Sequence, residues 1–340
     1  MRALVVTEGR VEIQTRPDPE PGAGEVVVRV HGAGLNRADL AQRAGRYPAP
    51  PGSPPDIPGL EFAGEVVAHG SALDHPGHDE SAHDRDSGGP PPIGSRVFGV
   101  VGGGAQAELL VVPVGQCAPV PERLDLVAAG AVPEVFVTAH DALVTICSAQ
   151  SGETMFVPAV GSGVGTAAVQ LAKAFGLTSV GSARTADKLD RGRALGLDHA
   201  LVAARDFDPD AFAAQLTEAA GPIDVALDLV GGAYLTAEVR AAAVHGRIVQ
   251  IGNLAGARAE IDILQIMVKR LRIQGTVLRP RTVAEKAAAT AGFVRDVVPL
   301  LADGRIEPVV ARVLPLADAD AAYEMLAADE VFGKIVLDCR

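Results

Sequence analysis

The chain has 340 residues, 48% of them hydrophobic and 21% charged, with a formal net charge of -12 at pH 7. That length predicts two domains, and that composition predicts a globular chain. The acidic balance argues against a surface that tracks phosphates, so nucleic acid is not an expected partner, although a local basic pocket for one small anion remains compatible with it.

The elements follow in chain order. The opening "MRALVVTEGR" has no apolar run long enough for a signal peptide, and no apolar stretch approaches the roughly 20 residues that span a bilayer, so a cytoplasmic protein with no membrane partner is expected. Up to about residue 120, short β-branched runs such as "EVVVRV", "GEVVAHG", "SRVFGVV" and "AELLVVP" alternate with glycine and proline, which predicts an irregular, mostly antiparallel β domain. Within it, "GAGLNRADLAQRAGRYPAPP" sets Asn36, Arg37, Asp39 and Tyr47 after an apolar run. Asn36 with Asp39 three residues on has the spacing of a capping box over "RADLAQRAG"; the other reading of the same residues is a functional pocket. The stretch 71–92, "SALDHPGHDESAHDRDSGGPPP", offers little to bury, and a solvated loop explains its His75, His78 and His83 better than a metal site.

From about residue 123 the pattern changes. "ETMFVPAV", "TSVGSA", "DHALVA", "IDVALDLV", "GRIVQIG" and "RLRIQGTVL" read as buried strands, with helices over "GTAAVQLAKAFG", "TADKLDRGRALG" and "DAFAAQLTEAA" between them. Repeated strand and helix units of this length predict a doubly wound parallel sheet. After residue 280 a helix over "TVAEKAAATAGFVRDVVPLLADG" leads to "IEPVVARVLPL" and "GKIVLDC", strands that resemble the first region in character. The expected organisation is therefore one domain of residues 1–122 and 281–340 and a second of residues 123–280. Cys117, Cys147 and Cys339 are too far apart to indicate a disulfide framework or a zinc ribbon, which fits a reducing compartment.

"VPAVGSGVGTAAVQLAKAFG" places Gly161, Ser162, Gly163, Val164 and Gly165 between a strand and a helix start. Glycines there permit a tight turn and let backbone donors approach a pyrophosphate at the positive end of the helix. The spacing is GxGxG, and the Lys of a Walker A loop is missing. At the end of the second strand, "VGSARTADK" has Ala183 where an acid would hold a free ribose 2′-hydroxyl. Ser182, Arg184 and Lys188 suit a 2′-phosphate instead, so NADPH is expected over NADH; the alternative makes Arg184 and Lys188 ordinary solvated charges at a helix start.

Together "GLNRADLAQRAGRYPAPPG", "IPGLEFAGEV", "VPEVFVTAHDAL", "GSGVGTAAVQLAKAFG", "LDLVGG" and "FGKIVL" resemble the medium-chain dehydrogenase/reductase superfamily. More narrowly, they resemble its zinc-independent quinone oxidoreductase branch and the p53-inducible quinone oxidoreductase group within it. The resemblance implies an α/β fold, a Rossmann NADPH-binding domain beside a GroES-like, mostly β catalytic domain. Zinc-dependent members place a cysteine where this chain has Asn36 and a histidine where "GLE" puts Leu60; their third ligand position falls at Glu134, and the four-cysteine lobe of structural zinc is absent, so no metal is expected. Asn36, Asp39 and Tyr47 match the polar residues of the substrate pocket in quinone-reducing relatives. Asn36 and Tyr47 are candidate donors to the acceptor oxygen, and Asp39 a group that orients one of them or relays a proton. The resemblance adds Thr138, Val230, Gly252, Asn253, Leu278, Arg279 and Gly333 to the cofactor residues, and it implies a homodimer paired through the strand "RLRIQGTVL".

Three functions are compatible with these residues: an NADPH-dependent quinone reductase acting on a small-molecule quinone or related electrophile, a reductase of activated carbon–carbon double bonds, and a low-turnover NADPH-binding or sensing protein. The first is the expected one, because orienting a hydride donor and an acceptor asks little else of the protein.

Overall fold

The computed structural model describes residues 1–71 and 90–340, so the reading of His75, His78 and His83 falls outside the described residues. The chain divides into two compact units, one of Met1–Glu134, Leu278–Ala302 and Val310–Arg340, the other of Val135–Val277 and Asp303–Val309. Residues 123–134 thus pack with the first unit.

In the first unit, β1 (Arg2–Thr7) and β2 (Arg10–Thr15) form an antiparallel hairpin. They are followed by β3 (Glu25–Gly34), α1 (Arg37–Arg43), β4 (Glu61–His69), β5 (Arg96–Val100), β6 (Leu109–Pro113), β7 (Cys117–Pro119) and α2 (Leu126–Ala129). β3 pairs antiparallel with both β4 and β6. Its Val26, Val27, Val28 and Val30 are all buried, because covered neighbours on both faces turn an alternating strand into a continuous apolar run. Asn36 is the N-cap of α1 in a capping box, with the Asp39 carboxylate accepting the Asn36 backbone N–H at 2.8 Å. Helix α3 (Pro133–His140) starts at the end of this segment.

The second unit is a regular alternation. β8 (Thr154–Val157), α4 (Gly163–Ala174), β9 (Thr178–Ala183), α5 (Ala186–Leu195), β10 (His199–Val202), α6 (Pro209–Ala220), β11 (Ile223–Asp228), α7 (Ala233–Ala241), β12 (Ala242–Gln250), α8 (Ile263–Lys269) and β13 (Arg272–Gly275) build one six-stranded sheet. Its order is β10-β9-β8-β11-β12-β13, parallel throughout. Strand order reverses beside β8, as in a doubly wound dinucleotide fold. "TMFV" of β8 is buried at every position, the pattern that helices on both faces of a parallel sheet require. An aromatic group of Phe156, Phe207, Phe212 and Tyr234 fills one face, with Phe207 and Phe212 centroids 4.6 Å apart.

The returning chain contributes α9 (Val283–Asp296), α10 (Val298–Ala302), β14 (Val310–Pro315), α11 (Ala319–Ala328) and β15 (Lys334–Asp338). β15 pairs antiparallel with β3 and parallel with β14, which gives the path β14-β15-β3-β4-β5-β7, with β6 on β3. The core of this unit gathers Val28, Phe62, Val66, Val112, Tyr323 and Leu337 from both ends of the chain. Among the described residues no helix is long and apolar enough to cross a membrane.

Candidate active site

Three neighbouring strands of the first unit assemble a buried polar cluster. In the β3–β15 register Gly34 faces Val336, and Leu35 N–H bonds the Ile335 carbonyl at 2.9 Å, so the ladder carries Asn36 to Lys334, the first residue of β15. Glu61 opens β4 on the other side of β3. The Lys334 ammonium lies 2.6 Å from Glu61 Oε1 and 2.6 Å from Asn36 Oδ1, and donates also to the Leu35 carbonyl. Glu61 is fully buried, and its Oε2 accepts the Glu134 backbone N–H at 2.8 Å. Gly34 is required here, since a Cβ would sit 2.3 Å from Glu61 Oε1 and 2.5 Å from the Gly130 carbonyl.

This geometry changes the role expected of Asn36. Its Nδ2 donates to Glu61 Oε1 at 3.0 Å and to the Gly34 carbonyl at 3.3 Å, while Oδ1 accepts from Lys334. An amide has two hydrogens to give, and both are committed, so Asn36 braces the cluster and presents no spare donor. Asp39 is likewise internal. It is fully buried and accepts from Asn36 N, Gly59 N at 3.3 Å and Gln106 Nε2 at 3.3 Å, with Gln106 Oε1 in turn accepting from the Tyr323 hydroxyl at 2.8 Å. Burial pushes its carboxyl up to about 6, against the pull of the Asn36 N–H and of Lys334.

Tyr47 remains as a donor. Arg279 is 3% exposed and spreads its guanidinium over the Tyr47 ring, 4.8 Å from the centroid, while donating to the Tyr47 carbonyl at 3.0 Å, to Gln42 Oε1 at 2.6 Å and to the Gly102 carbonyl at 2.8 Å. The resemblance puts Arg279 beside the cofactor; in the structure its guanidinium donates to groups of the first unit and fixes the Tyr47 ring. Burial raises the Tyr47 hydroxyl above its ordinary value, which keeps it protonated. Glu134, at the start of α3, faces the same cluster, and burial together with Glu61 pushes its carboxyl up to about 8. Glu61, Lys334, Gln42 and Gln106 carry a signal that pattern reading passes over: each is a polar residue set in or beside an apolar run, as in "GLEFAGEV" and "FGKIVL".

The remaining expected residues lie mostly at the carboxyl ends of the second unit's strands. Ser162 caps α4, its hydroxyl accepting Gly165 N–H at 3.0 Å, and a Cβ at Gly165 would meet the Ala159 carbonyl at 2.4 Å. The turn Gly161–Ser162–Gly163–Val164–Gly165 is thus as close to the strand as backbone allows. Ser182, buried next to the end of β9, bonds the Tyr234 hydroxyl at 3.2 Å, so its hydroxyl is already engaged. Arg184 is exposed and Lys188 partly exposed at the start of α5. Val230 N–H bonds Asp228 Oδ1 at 2.7 Å just past β11. Gly252 and the exposed Asn253 follow β12, and a Cβ on Gly252 would lie 2.3 Å from the Leu229 carbonyl. Thr138 is partly buried in α3; Leu278 is buried in the first unit; Gly333, at φ +92°, turns the chain into Lys334.

Residues 22–122 match the alcohol dehydrogenase GroES-like domain, and residues 163–291 match the zinc-binding dehydrogenase family. The chain is 30% identical to an acryloyl-coenzyme A reductase of Metallosphaera sedula over 99% of both chains. The chain belongs to the medium-chain dehydrogenase/reductases. Within that superfamily it falls in the quinone oxidoreductase-like branch. It is 27% identical to the quinone oxidoreductase of Rattus norvegicus over 99% of this chain and 97% of that one. It superposes on the quinone oxidoreductase of Thermus thermophilus, solved also with NADPH, with a TM-score of 0.79 at 31% identity, over 99% of this chain and 100% of that one. Polyketide synthases align as well, at 31% identity for one from Streptomyces halstedii, of whose length this chain spans 5%. The positions that the resemblance assigns to zinc ligands hold Asn36, Leu60 and Glu134, of which only Glu134 is a usual zinc donor, beside a buried ammonium that would repel a dication, so this set does not fit a zinc ion. Among the described residues no three His, Cys, Asp or Glu side chains converge to hold a metal ion.

Proposed function

We propose that this oxidoreductase is an NADPH-dependent, zinc-independent quinone oxidoreductase. The observation that carries the reading is the cluster itself, in which an ammonium stands among the positions that ligate zinc elsewhere and the Tyr47 hydroxyl is held ready as a donor. When bound, the dihydronicotinamide supplies a hydride. The chain holds the pyrophosphate at residues 161–165, where the packed glycine leaves room for close backbone approach, and the 2′-phosphate at Arg184 and Lys188. Tyr47 hydrogen-bonds the acceptor oxygen as negative charge develops there, and Arg279 keeps the ring in place. A second reading, reduction of an activated double bond, draws support from the acryloyl-coenzyme A reductase relative.

The test is anaerobic oxidation of NADPH and NADH by the purified protein, with quinones set beside enones. Quinone-dependent oxidation of NADPH is expected, with NADH weaker by about tenfold or more, the margin of one charge-assisted phosphate contact. Arg184→Ala should raise KM for NADPH by about tenfold and leave that for NADH unchanged. Equal effects on both cofactors would remove the 2′-phosphate assignment, and cofactor binding without turnover would leave a binding protein.

The reading includes a homodimer. α8 exposes Ile263, Leu264, Met267 and Val268, each at least 60% accessible, beside the edge strand β13. A second copy of the same edge extends the sheet and covers these side chains symmetrically. Met267→Lys combined with Val268→Lys should shift the mass in light scattering from dimer to monomer; an unchanged dimer mass would place the interface elsewhere.

A further inference from the structure

Nearly every polar group of the first unit's cluster is committed: Lys334 to three acceptors, Asn36 at both ends of its amide, Asp39 to three donors, Arg279 to three acceptors. Glu134 differs. Its backbone N–H is pinned to Glu61 Oε2 at 2.8 Å, which fixes where the first turn of α3 stands, yet among the described residues no hydrogen bond or ion pair ties down its side chain. The residue as a whole is half-buried, and its unbonded carboxyl lies among the charged groups of the cluster. The groups around it come from several elements: Glu61 on β4, Asp39 on α1, Lys334 on β15 and Lys286 on α9, with Tyr47 and Arg279 from the segments flanking α1 and α9. Lys286 is itself turned to the Arg281 carbonyl at 2.6 Å. Burial and the two carboxyls outweigh the two lysines, so the acid keeps its proton at neutral pH, with its titration pushed up to about 8.

We propose that Glu134 is the proton donor that completes reduction of an α,β-unsaturated carbonyl compound at this site. The proposal rests on the reductase reading above and extends it to a second acceptor class. Hydride reaches the β-carbon, the double-bond pair moves toward the carbonyl, and the enolate oxygen is met by Tyr47. The Glu134 O–H bond then breaks as a C–H bond forms at the α-carbon; the alkene is reduced, NADPH is oxidised, and the carboxylate regains a proton from water. Protonation at carbon is slow and gains from a positioned acid, whereas the oxygens of a reduced quinone take protons from solvent directly. The two acceptor classes therefore depend on Glu134 differently.

The experiment compares wild type and Glu134→Gln with methyl vinyl ketone and 1,4-benzoquinone, with NADPH affinity followed by nicotinamide fluorescence. Glu134→Gln should lose about a hundredfold in kcat for the enone, within the usual range for a general acid, and lose the alkaline limb near pH 8. Quinone turnover and NADPH affinity should stay within about twofold. Infrared difference spectra of the unliganded protein give a readout apart from activity: a protonated carboxyl band that titrates near pH 8 in wild type and is missing from the variant. Should the variant fold poorly, wild type alone tests the step through a solvent deuterium isotope effect together with an alkaline limb near pH 8, both present for the enone and absent for the quinone. Equal losses with both acceptors, an unchanged alkaline limb, or no isotope effect on the enone would overturn the donor assignment while leaving quinone reduction standing. No turnover of either acceptor would instead overturn the reductase reading, and this proposal with it.

Discussion

Lys334→Met destabilises the first unit by about 3–5 kcal/mol, because Glu61 is left charged, buried and without its cation. Both side chains are almost sealed from water, at 5% and 0% exposure, so solvent cannot replace the lost ammonium. The same substitution frees Asn36 Oδ1 and the Leu35 carbonyl, and with them the junction of β3, β15 and α1. The chain has no tryptophan, so urea unfolding is followed by far-ultraviolet circular dichroism. Pairing Lys334→Met with Glu61→Gln should recover most of the loss, since the uncompensated charge is then gone. A loss below about 1 kcal/mol for the single variant would mean that water reaches Glu61 and that the cluster is not the brace described above.

Glu238→Gln makes the protein less sensitive to pH rising above about 4.5. Glu238 sits on α7 with both carboxyl oxygens buried and unbonded, near Asp228, whose Oδ2 is also unbonded. Burial first, and then Asp228, push the Glu238 carboxyl well above its ordinary value of 4.5. A raised carboxyl means that the folded state holds a proton the unfolded chain has already released. Stability from this group is therefore undiminished below about pH 4.5 and falls as pH rises above it. Each pH unit over which only the folded form stays protonated costs about 1.4 kcal/mol. Wild type should thus lose stability more steeply than Glu238→Gln as pH rises above about 4.5, read from urea midpoints at each pH. Parallel pH curves for the two proteins would show Glu238 to be ionised and partnered. Asp39 and Glu134 are shifted in the same direction, so the background slope of wild type has the same sign.

The second unit is open to sequence reading because its signals are local. A parallel strand covered on both faces needs an apolar run, as "TMFV" and "IDVALD" supply, and a helix packed against a tight turn needs small residues, as at Gly165. The polar cluster is harder to read. Asn36, Asp39 and Tyr47 can be picked out because they share one short stretch, but their partners Glu61, Gln106, Arg279 and Lys334, and Tyr323 behind Gln106, are scattered over nearly the whole chain. The contacts of these side chains are hidden from local reading for the same reason. Nothing local to Asn36 tells that its amide is used by Lys334 and Glu61, and nothing local to Arg279 tells that it lies on Tyr47.

The sequence by itself determined the alternation of the nucleotide-type unit, the β character of the first region and of its returning strands, and the kinds of side chain available for chemistry. These follow from periodicity, turn residues and composition, which act over a few residues. Only the tertiary structure decided which polar groups are already satisfied. That depends on strand register, since the β3–β15 ladder sets Asn36 opposite Lys334, and on desolvation, since burial beside other carboxyls holds the proton on Glu134. Both are long-range properties, and a hydrogen bond donor or an acid becomes available for function only after the fold has used up the others.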